Sequence, residues 1–243
     1  MLVRTANLTK LYGGVPAVDR VAIGVRGGEV LGFAGPRGAG KTTMLRMLLG
    51  LTRPTYGTAV VAGCPPGHPD GLARIGALVG APAFYPYLSG RDNLRVVARY
   101  AHIPHSQADA ALAAVGLTDR ARVRYAAYGA GPRRLLGVAA ALLKNPDLLV
   151  LDEPWRDLDA DACGRLDALL RELVAGGCAV LVTGDPATGF AACDRVAVLA
   201  NGRVVAEMTG GAGGRAASEG TCEPGGEAGV RVLSEAGGGG RGG

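Results

Sequence analysis

Gly35-Pro36-Arg37-Gly38-Ala39-Gly40-Lys41-Thr42-Thr43 is the stretch whose reading decides the fold. It satisfies the pattern G-x-x-x-x-G-K-[ST], with Gly35, Gly40, Lys41 and Thr42 at the fixed places. Glycines in such a run let successive backbone N–H groups converge on phosphate oxygens that a Cβ would crowd. Lys41 brings a point charge to the outer phosphates of a nucleotide, and the Thr42 hydroxyl suits Mg²⁺. A helix that starts near Lys41 aims the positive end of its dipole at the same anion. The flanks agree with this reading. Glu29 to Ala34 reads as a buried strand, and Thr42 to Leu49 as a helix with an apolar face.

The second half of a nucleotide site lies far downstream. Leu148-Leu149-Val150-Leu151 is a short continuous apolar run, as expected of a strand covered on both faces. Asp152 and Glu153 follow at its C-terminal end, where ligands sit in open α/β sheets. Asp152 is placed to hold Mg²⁺, directly or through water, and Glu153 to polarise an attacking water as general base. Taken without the upstream loop, the same two acids also read as caps of the next helix.

What lies around these motifs narrows the class. Tyr12-Gly13 precedes the loop. Then come Ile75-Gly76-Ala77-Leu78-Val79-Gly80-Ala81-Pro82-Ala83-Phe84-Tyr85-Pro86-Tyr87-Leu88-Ser89-Gly90-Arg91-Asp92-Asn93-Leu94, Tyr128-Gly129-Ala130-Gly131-Pro132-Arg133-Arg134-Leu135, Leu148 to Pro154, and Asp157-Leu158-Asp159. In this order the chain resembles the ATP-binding subunit of an ABC transporter, and most of all the ATPases of bacitracin- and lantibiotic-type drug exporters. The resemblance runs over roughly residues 2–208. It implies an α/β fold of the P-loop NTPase type, with a mostly parallel sheet, an antiparallel β part and an inserted helical subdomain at about 85–145.

The resemblance also implies roles. ATP and Mg²⁺ are the expected ligands. Residues Gly35 to Thr43 hold the phosphates (Pro36, Arg37, Gly38 and Ala39 among them), Thr42 and Asp152 hold the metal, and Glu153 is catalytic. Tyr12 falls where an aromatic stacks on adenine, a contact of roughly 1–3 kcal/mol; it also reads as a packed tyrosine near a strand end. Asp159 falls on the loop linking the two sites of a dimer. Phe84-Tyr85-Pro86 lies where this family meets the membrane subunit, and equally fits a local hydrophobic staple.

Three positions depart from the family pattern. Gly80 stands where a Gln or an acid contacts Mg²⁺ and water, Gly129 where a Ser grips the partner's γ-phosphate, and Asp185 where a switch His follows the strand Ala179 to Thr183. The only histidines are His68, His102 and His105, so none replaces it. A hydrogen bond to a charged group contributes about 1.5–3 kcal/mol, so the Ser loss alone implies about a tenfold to hundredfold weaker grip. Asp185 puts a carboxylate where a donor belongs. At about 4 Å, two like charges repel by about 1 kcal/mol in water and about 4 at an effective dielectric of 20. Arg37, where the family has Asn, offsets part of that. Family members pair head to tail, so no homodimer or heterodimer of this chain has an undamaged site. ATP binding with weak hydrolysis is the expectation.

Composition sets the frame. A chain of 243 residues with net charge +5 can bury a sizeable core. No apolar run approaches about 18 residues, so no transmembrane helix is expected, and Met1 to Thr5 does not read as a signal peptide. Transport therefore calls for a separate integral-membrane permease, with this chain peripheral on the cytoplasmic side. The five cysteines show no C-x-x-C spacing and read as reduced packing residues. Only three of the 26 basic residues are lysines (Lys10, Lys41, Lys144), which looks like GC-rich coding bias before it looks like nucleic-acid binding; no nucleic-acid partner is expected. Arg91, Arg95 and Arg99 recur at i, i+4 and i+8 after a Ser89–Asp92 capping box, as a solvated face or one drawn to an acidic leaflet.

Locally, residues 2–34 read as short strands with a loop at Tyr12, 58–63 as a strand, 89–143 as mainly helical including Gln107 to Val115, and Leu166, Leu169, Leu170 and Leu173 as a helix stripe ended by Gly176-Gly177. Val196 to Ala206 reads as a hairpin turning at Asn201-Gly202. The domain ends near 208, and the Gly-rich 209–243 reads as a tail unable to fold. Three functions remain open: the ATP-binding subunit of an exporter, a degenerate nucleotide-binding switch with little hydrolysis, and a soluble ATPase acting on DNA or ribosomes. The third lacks the coiled coils or tandem domains it would need.

Overall fold

The computed structural model describes residues 1–185, 190–209 and 230–232. A twisted seven-stranded sheet runs through the middle. Its strands are β4 (Val30–Ala34), β6 (Ile75–Leu78), β7 (Leu148–Asp152), β8 (Ala179–Gly184), β9 (Arg195–Ala200), β10 (Arg203–Thr209) and β11 (Val230–Val232), in the order β11-β10-β9-β4-β8-β7-β6. The five from β9 to β6 are parallel neighbours, and β10 and β11 add an antiparallel edge. A smaller antiparallel sheet holds β1 (Val3–Tyr12), β2 (Val15–Val21), β3 (Gly24–Val25) and β5 (Tyr56–Val61). The helices are α1 (Lys41–Leu48), α2 (Pro69–Ala73), α3 (Gly90–Tyr100), α4 (Ser106–Ala114), α5 (Ala130–Leu142) and α6 (Ala160–Ala175).

The apolar runs explain the central strands. Every residue of β4, β7 and β8 is buried, because both faces of the sheet are covered. Side chains alternate across a strand, so each run feeds two cores. Leu148 and Val150 join Leu31, Phe33 and the α1 residues Met44, Leu45, Met47 and Leu48 under the antiparallel sheet. Leu149 and Leu151 join Val180, Val182 and the residues of α3 to α6 on the other face.

Several sequence expectations are met. Asn201 and Gly202 both have positive φ (50° and 77°), as the two-residue turn between β9 and β10 requires. In α6, Leu166 and Leu170 are buried, Leu169 and Leu173 pack against the same core, and Gly176 caps the end. Ser89 caps α3, its hydroxyl accepting from the Asp92 N–H at 3.1 Å and donating to the Asp92 carboxylate at 2.6 Å. The strand expected at 58–63 begins two residues earlier, at Tyr56.

Other features were not legible. Ile75–Leu78 forms the edge strand β6 beside β7, yet its Gly76 and short length gave no strand pattern. Residues 230–232, assigned to the unfolded tail, pair their backbone with Ala206–Met208. The Val-Arg-Val alternation there has strand propensity, and the edge of β10 offers unpaired groups. The remainder of the tail, 210–229 and 233–243, lies outside the described residues. The arginine face of α3 is not uniformly solvated either: Arg91 pairs with Asp109 of α4 at 2.6 Å, and Arg95 lies 3.5 Å from Asp92.

Candidate functional site

Four parallel strands end at one cleft. The register aligns Ala34 with Gly184, Asp152 with Thr183, and Leu78 with Leu151, so the loops beyond β4, β6, β7 and β8 open on the same side. Sequential strands fill positions on either side of β4, the topology that places ligand crevices at C-terminal strand ends. The cleft has a volume of about 640 Å³. Arg37 to Thr43, Gly80, Arg134, Asp152, Glu153 and Asp185 are among its lining residues.

Residues Gly35 to Gly40 form the turn into α1. Gly40 has φ +104°, and a Cβ there would collide with the Ala17 carbonyl oxygen. Only glycine fits both demands. Ala39 in turn accepts the Gly202 N–H at 3.1 Å, so the β9–β10 turn buttresses the loop. Lys41, buried, donates its ammonium to the carbonyls of Gly35 and Pro36 across the loop mouth.

Asp152 is buried and ties three elements together. Its carboxylate accepts from the Thr42 hydroxyl of α1 at 2.9 Å and from the Thr183 hydroxyl of β8 at 2.6 Å. The donor set is a hydroxyl and a carboxylate side by side, next to the glycine-rich Gly35–Gly40 turn. Hard oxygen ligands in small number, with the balance supplied by phosphates and water, are what Mg²⁺ takes, so the residues fit that ion.

Glu153 follows with φ 49°, in the left-handed region. Its N–H bonds both the Thr183 carbonyl (3.2 Å) and the Thr183 hydroxyl (3.0 Å), which fixes this uncommon conformation. The carboxylate lies at the cleft and accepts from Arg156 at 2.9 Å. Trp155, the only tryptophan, lines the cleft and donates its indole N–H to Asp167 at 2.8 Å. Burial raises the Asp167 carboxyl above the usual carboxylate range, against the pull of that bond and of Arg171.

The structure thus brings together Arg37 to Thr43, Asp152, Glu153, Gly80 and Asp185. Of the expected site residues, Gly35, Pro36, Tyr12 and Asp159 are not among those lining the cleft. Tyr12 is half exposed at the end of β1 with the Lys10 ammonium 5.2 Å from its ring centre, and Ala17, not Tyr12, lines the cleft. Asp159 caps α6, accepting the Ala162 N–H at 2.7 Å. It borders a smaller pocket with Gly131, Pro132 and Asp157. Gly129 is the N-cap of α5 and supplies no side-chain cap. Phe84 packs edge-on against Tyr125 at 5.3 Å, while Tyr85 and Tyr87 are exposed, so the aromatic segment is half staple and half open surface. Sequence reasoning missed Arg134 and Arg156, both in the cleft; an arginine beside an expected active-site strand was the available signal for the second.

Comparison with known proteins follows the same line. The family model described as ABC transporter matches residues 18–156. The bacitracin transport ATP-binding protein BcrA of Bacillus licheniformis is 39% identical over 175 residues, 71% of this chain and 57% of that protein. The daunorubicin/doxorubicin resistance ATP-binding protein DrrA of Streptomyces peucetius is 38% identical over 218 residues, 86% of this chain and 66% of that one. The chain therefore spans 57% and 66% of the lengths of these two relatives. Among solved structures, a dimeric ATP-binding cassette in a post-hydrolysis state, bound to ADP and Pi, superposes with TM-score 0.77 at 24% identity, covering 85% of this chain and 98% of that one. That last likeness is one of fold.

Proposed function

The chain belongs to the ABC transporter family, and from that premise we propose that it is the ATP-binding subunit of an exporter, binding Mg-ATP in the cleft and hydrolysing it to drive transport. The single observation carrying this reading is the convergence of the Arg37–Thr43 stretch, the Thr42–Asp152 pair and Glu153 on one cleft. The relatives named for bacitracin transport and for drug resistance support a drug or peptide antibiotic as the cargo class.

Each residue has a task in this reading. The loop N–H groups and Lys41 take the outer phosphates, Lys41 exchanging its two carbonyl partners for phosphate oxygens. Thr42 and Asp152 hold Mg²⁺, which when bound neutralises charge on the phosphate oxygens. Glu153 accepts the proton of the attacking water. Tyr12 remains the proposed adenine contact, and Asp159 the proposed dimer-loop residue.

Hydrolysis is proposed to be slow. Gly80 brings no side chain to the cleft, and Asp185 brings a carboxylate. Gly129 leaves the start of α5 without a hydroxyl for a second subunit's γ-phosphate. The working form is a head-to-tail dimer of ATP-binding subunits on an integral-membrane permease, at the cytoplasmic face of the membrane. Among the described residues no helix is long and apolar enough to cross a membrane.

Mg²⁺-dependent ATP turnover of the purified chain, beside Lys41→Ala and Glu153→Gln, tests this. Turnover below about 1 per second, lost in both variants and raised by the permease, is the expected result. Turnover equal in all three proteins, with or without permease, would remove the assignment.

A further inference from the structure

Arg134 lies in the second turn of α5. Its Nη1 donates to the carbonyl of Gly80 at 3.2 Å and to the carbonyl of Asp152 at 3.3 Å. These carbonyls stand at the cleft ends of β6 and β7. Both acceptors are neutral, and among the described residues no carboxylate pairs with Arg134. A guanidinium carries five donors in a flat fork, matched to phosphate oxygens. Only Nη1 is engaged, and Nη2 and Nε make no protein hydrogen bond among the described residues.

The surroundings point the same way. Arg134 is part-buried and lines the cleft that holds Lys41, Thr42 and Glu153. Gly80 has φ +79°, and no atom lies within 4 Å of where its Cβ would be. The space beside the Gly80 backbone is therefore open to a ligand, and Arg134 is the charged group bonded to that backbone. Arg156, another cleft cation, is already paired with Glu153. The second bond of Arg134, to the Asp152 carbonyl, holds it against the peptide that leads into Glu153.

We propose that Arg134 is a specificity-determining residue: its free donors take the terminal phosphate of a nucleoside triphosphate bound in the same chain, so that the cleft discriminates triphosphate from diphosphate and α5 registers which is present. This rests on the reading of the cleft as the ATP site. A cation supplied in cis from α5 thus stands beside the gap left by Gly80.

The test is calorimetric titration of the full chain with Mg-ATP and with Mg-ADP, in a Glu153→Gln background that keeps ATP intact. The parent binds ATP more tightly than ADP. Arg134→Gln weakens ATP about tenfold to a hundredfold and leaves ADP within about twofold, the size expected for one charged hydrogen-bonding partner. Arg134→Lys, which keeps the charge without the fork, gives an intermediate ratio and guards against a Gln variant that fails to fold. An unchanged ATP-to-ADP ratio in both variants, or an equal loss for both nucleotides, would make Arg134 a strut between strand ends and overturn the proposal. Lys41→Ala in the same background separates the two levels: if it binds ATP as tightly as its parent, the site assignment fails first.

Discussion

The Thr42 hydroxyl donates to the Asp152 carboxylate across 2.9 Å, joining residues 110 positions apart in the chain. The bond ties the first turn of α1 to the end of β7 and sets a hydroxyl and a carboxylate oxygen side by side. Thr42 thus serves the fold, and in the proposed function the metal as well.

Thr42→Ala removes the hydroxyl proposed to hold Mg²⁺ and leaves the Asp152 carboxylate with Thr183 as its side-chain partner. A hydrogen bond to a charged group contributes about 1.5–3 kcal/mol. Mg-ATP affinity should fall about tenfold to a hundredfold, while ATP affinity measured in EDTA stays nearly constant. Equal losses with and without Mg²⁺ would mean that Thr42 serves the fold alone.

Arg156 and Glu153 meet at 2.9 Å with both side chains well exposed. Such pairs contribute about 0–1 kcal/mol. Arg156→Ala should therefore leave the urea midpoint almost unchanged. It should also free the Glu153 carboxylate for water and raise turnover a fewfold, whereas Glu153→Gln abolishes it. Turnover lost in Arg156→Ala as well would show that the arginine positions the base.

Gly131, in the first turn of α5, touches the loop after β7. A Cβ there would lie 2.6 Å from the Asp157 carbonyl oxygen, which is backbone and cannot step aside. Gly131→Ala should destabilise the chain by about 1–3 kcal/mol through this overpacking. Denaturant unfolding reads it directly; a midpoint equal to wild type would mean the two loops separate freely.

Burial pushes the Cys193 thiol up to about 12, with Asp167 and Asp194 adding to the shift, and burial pushes Cys178 up to about 11. An unfolded thiol titrates near 9, so above that pH the unfolded state binds fewer protons than the folded one. Stability is full below about pH 9 and falls as pH rises toward the folded values, by at most about 1.4 kcal/mol per pH unit for each thiol. Unfolding midpoints from pH 8 to 10.5 should decline more steeply in wild type than in a Cys178→Ala, Cys193→Ala variant. Parallel declines would place the sensitivity elsewhere.

The amino-acid sequence by itself determined the phosphate loop, the buried strand ending in Asp152 and Glu153, the Asn201-Gly202 turn and the α6 stripe. Each of these is written in residues a few positions apart, where turn chemistry, periodicity and glycine geometry act. The order of strands decided the rest. Thr183 reaches Asp152 because β8 lies beside β7, and Arg134 reaches Gly80 because α5 packs on the sheet near β6. Those pairs are 31 and 54 positions apart, and no local pattern encodes them. Tertiary structure likewise left Tyr12 outside the cleft lining, because the β1–β2 turn carries it to an exposed edge under Lys10. Local chemistry specifies what a residue can do; which partner it does it with depends on packing that only the folded chain assembles.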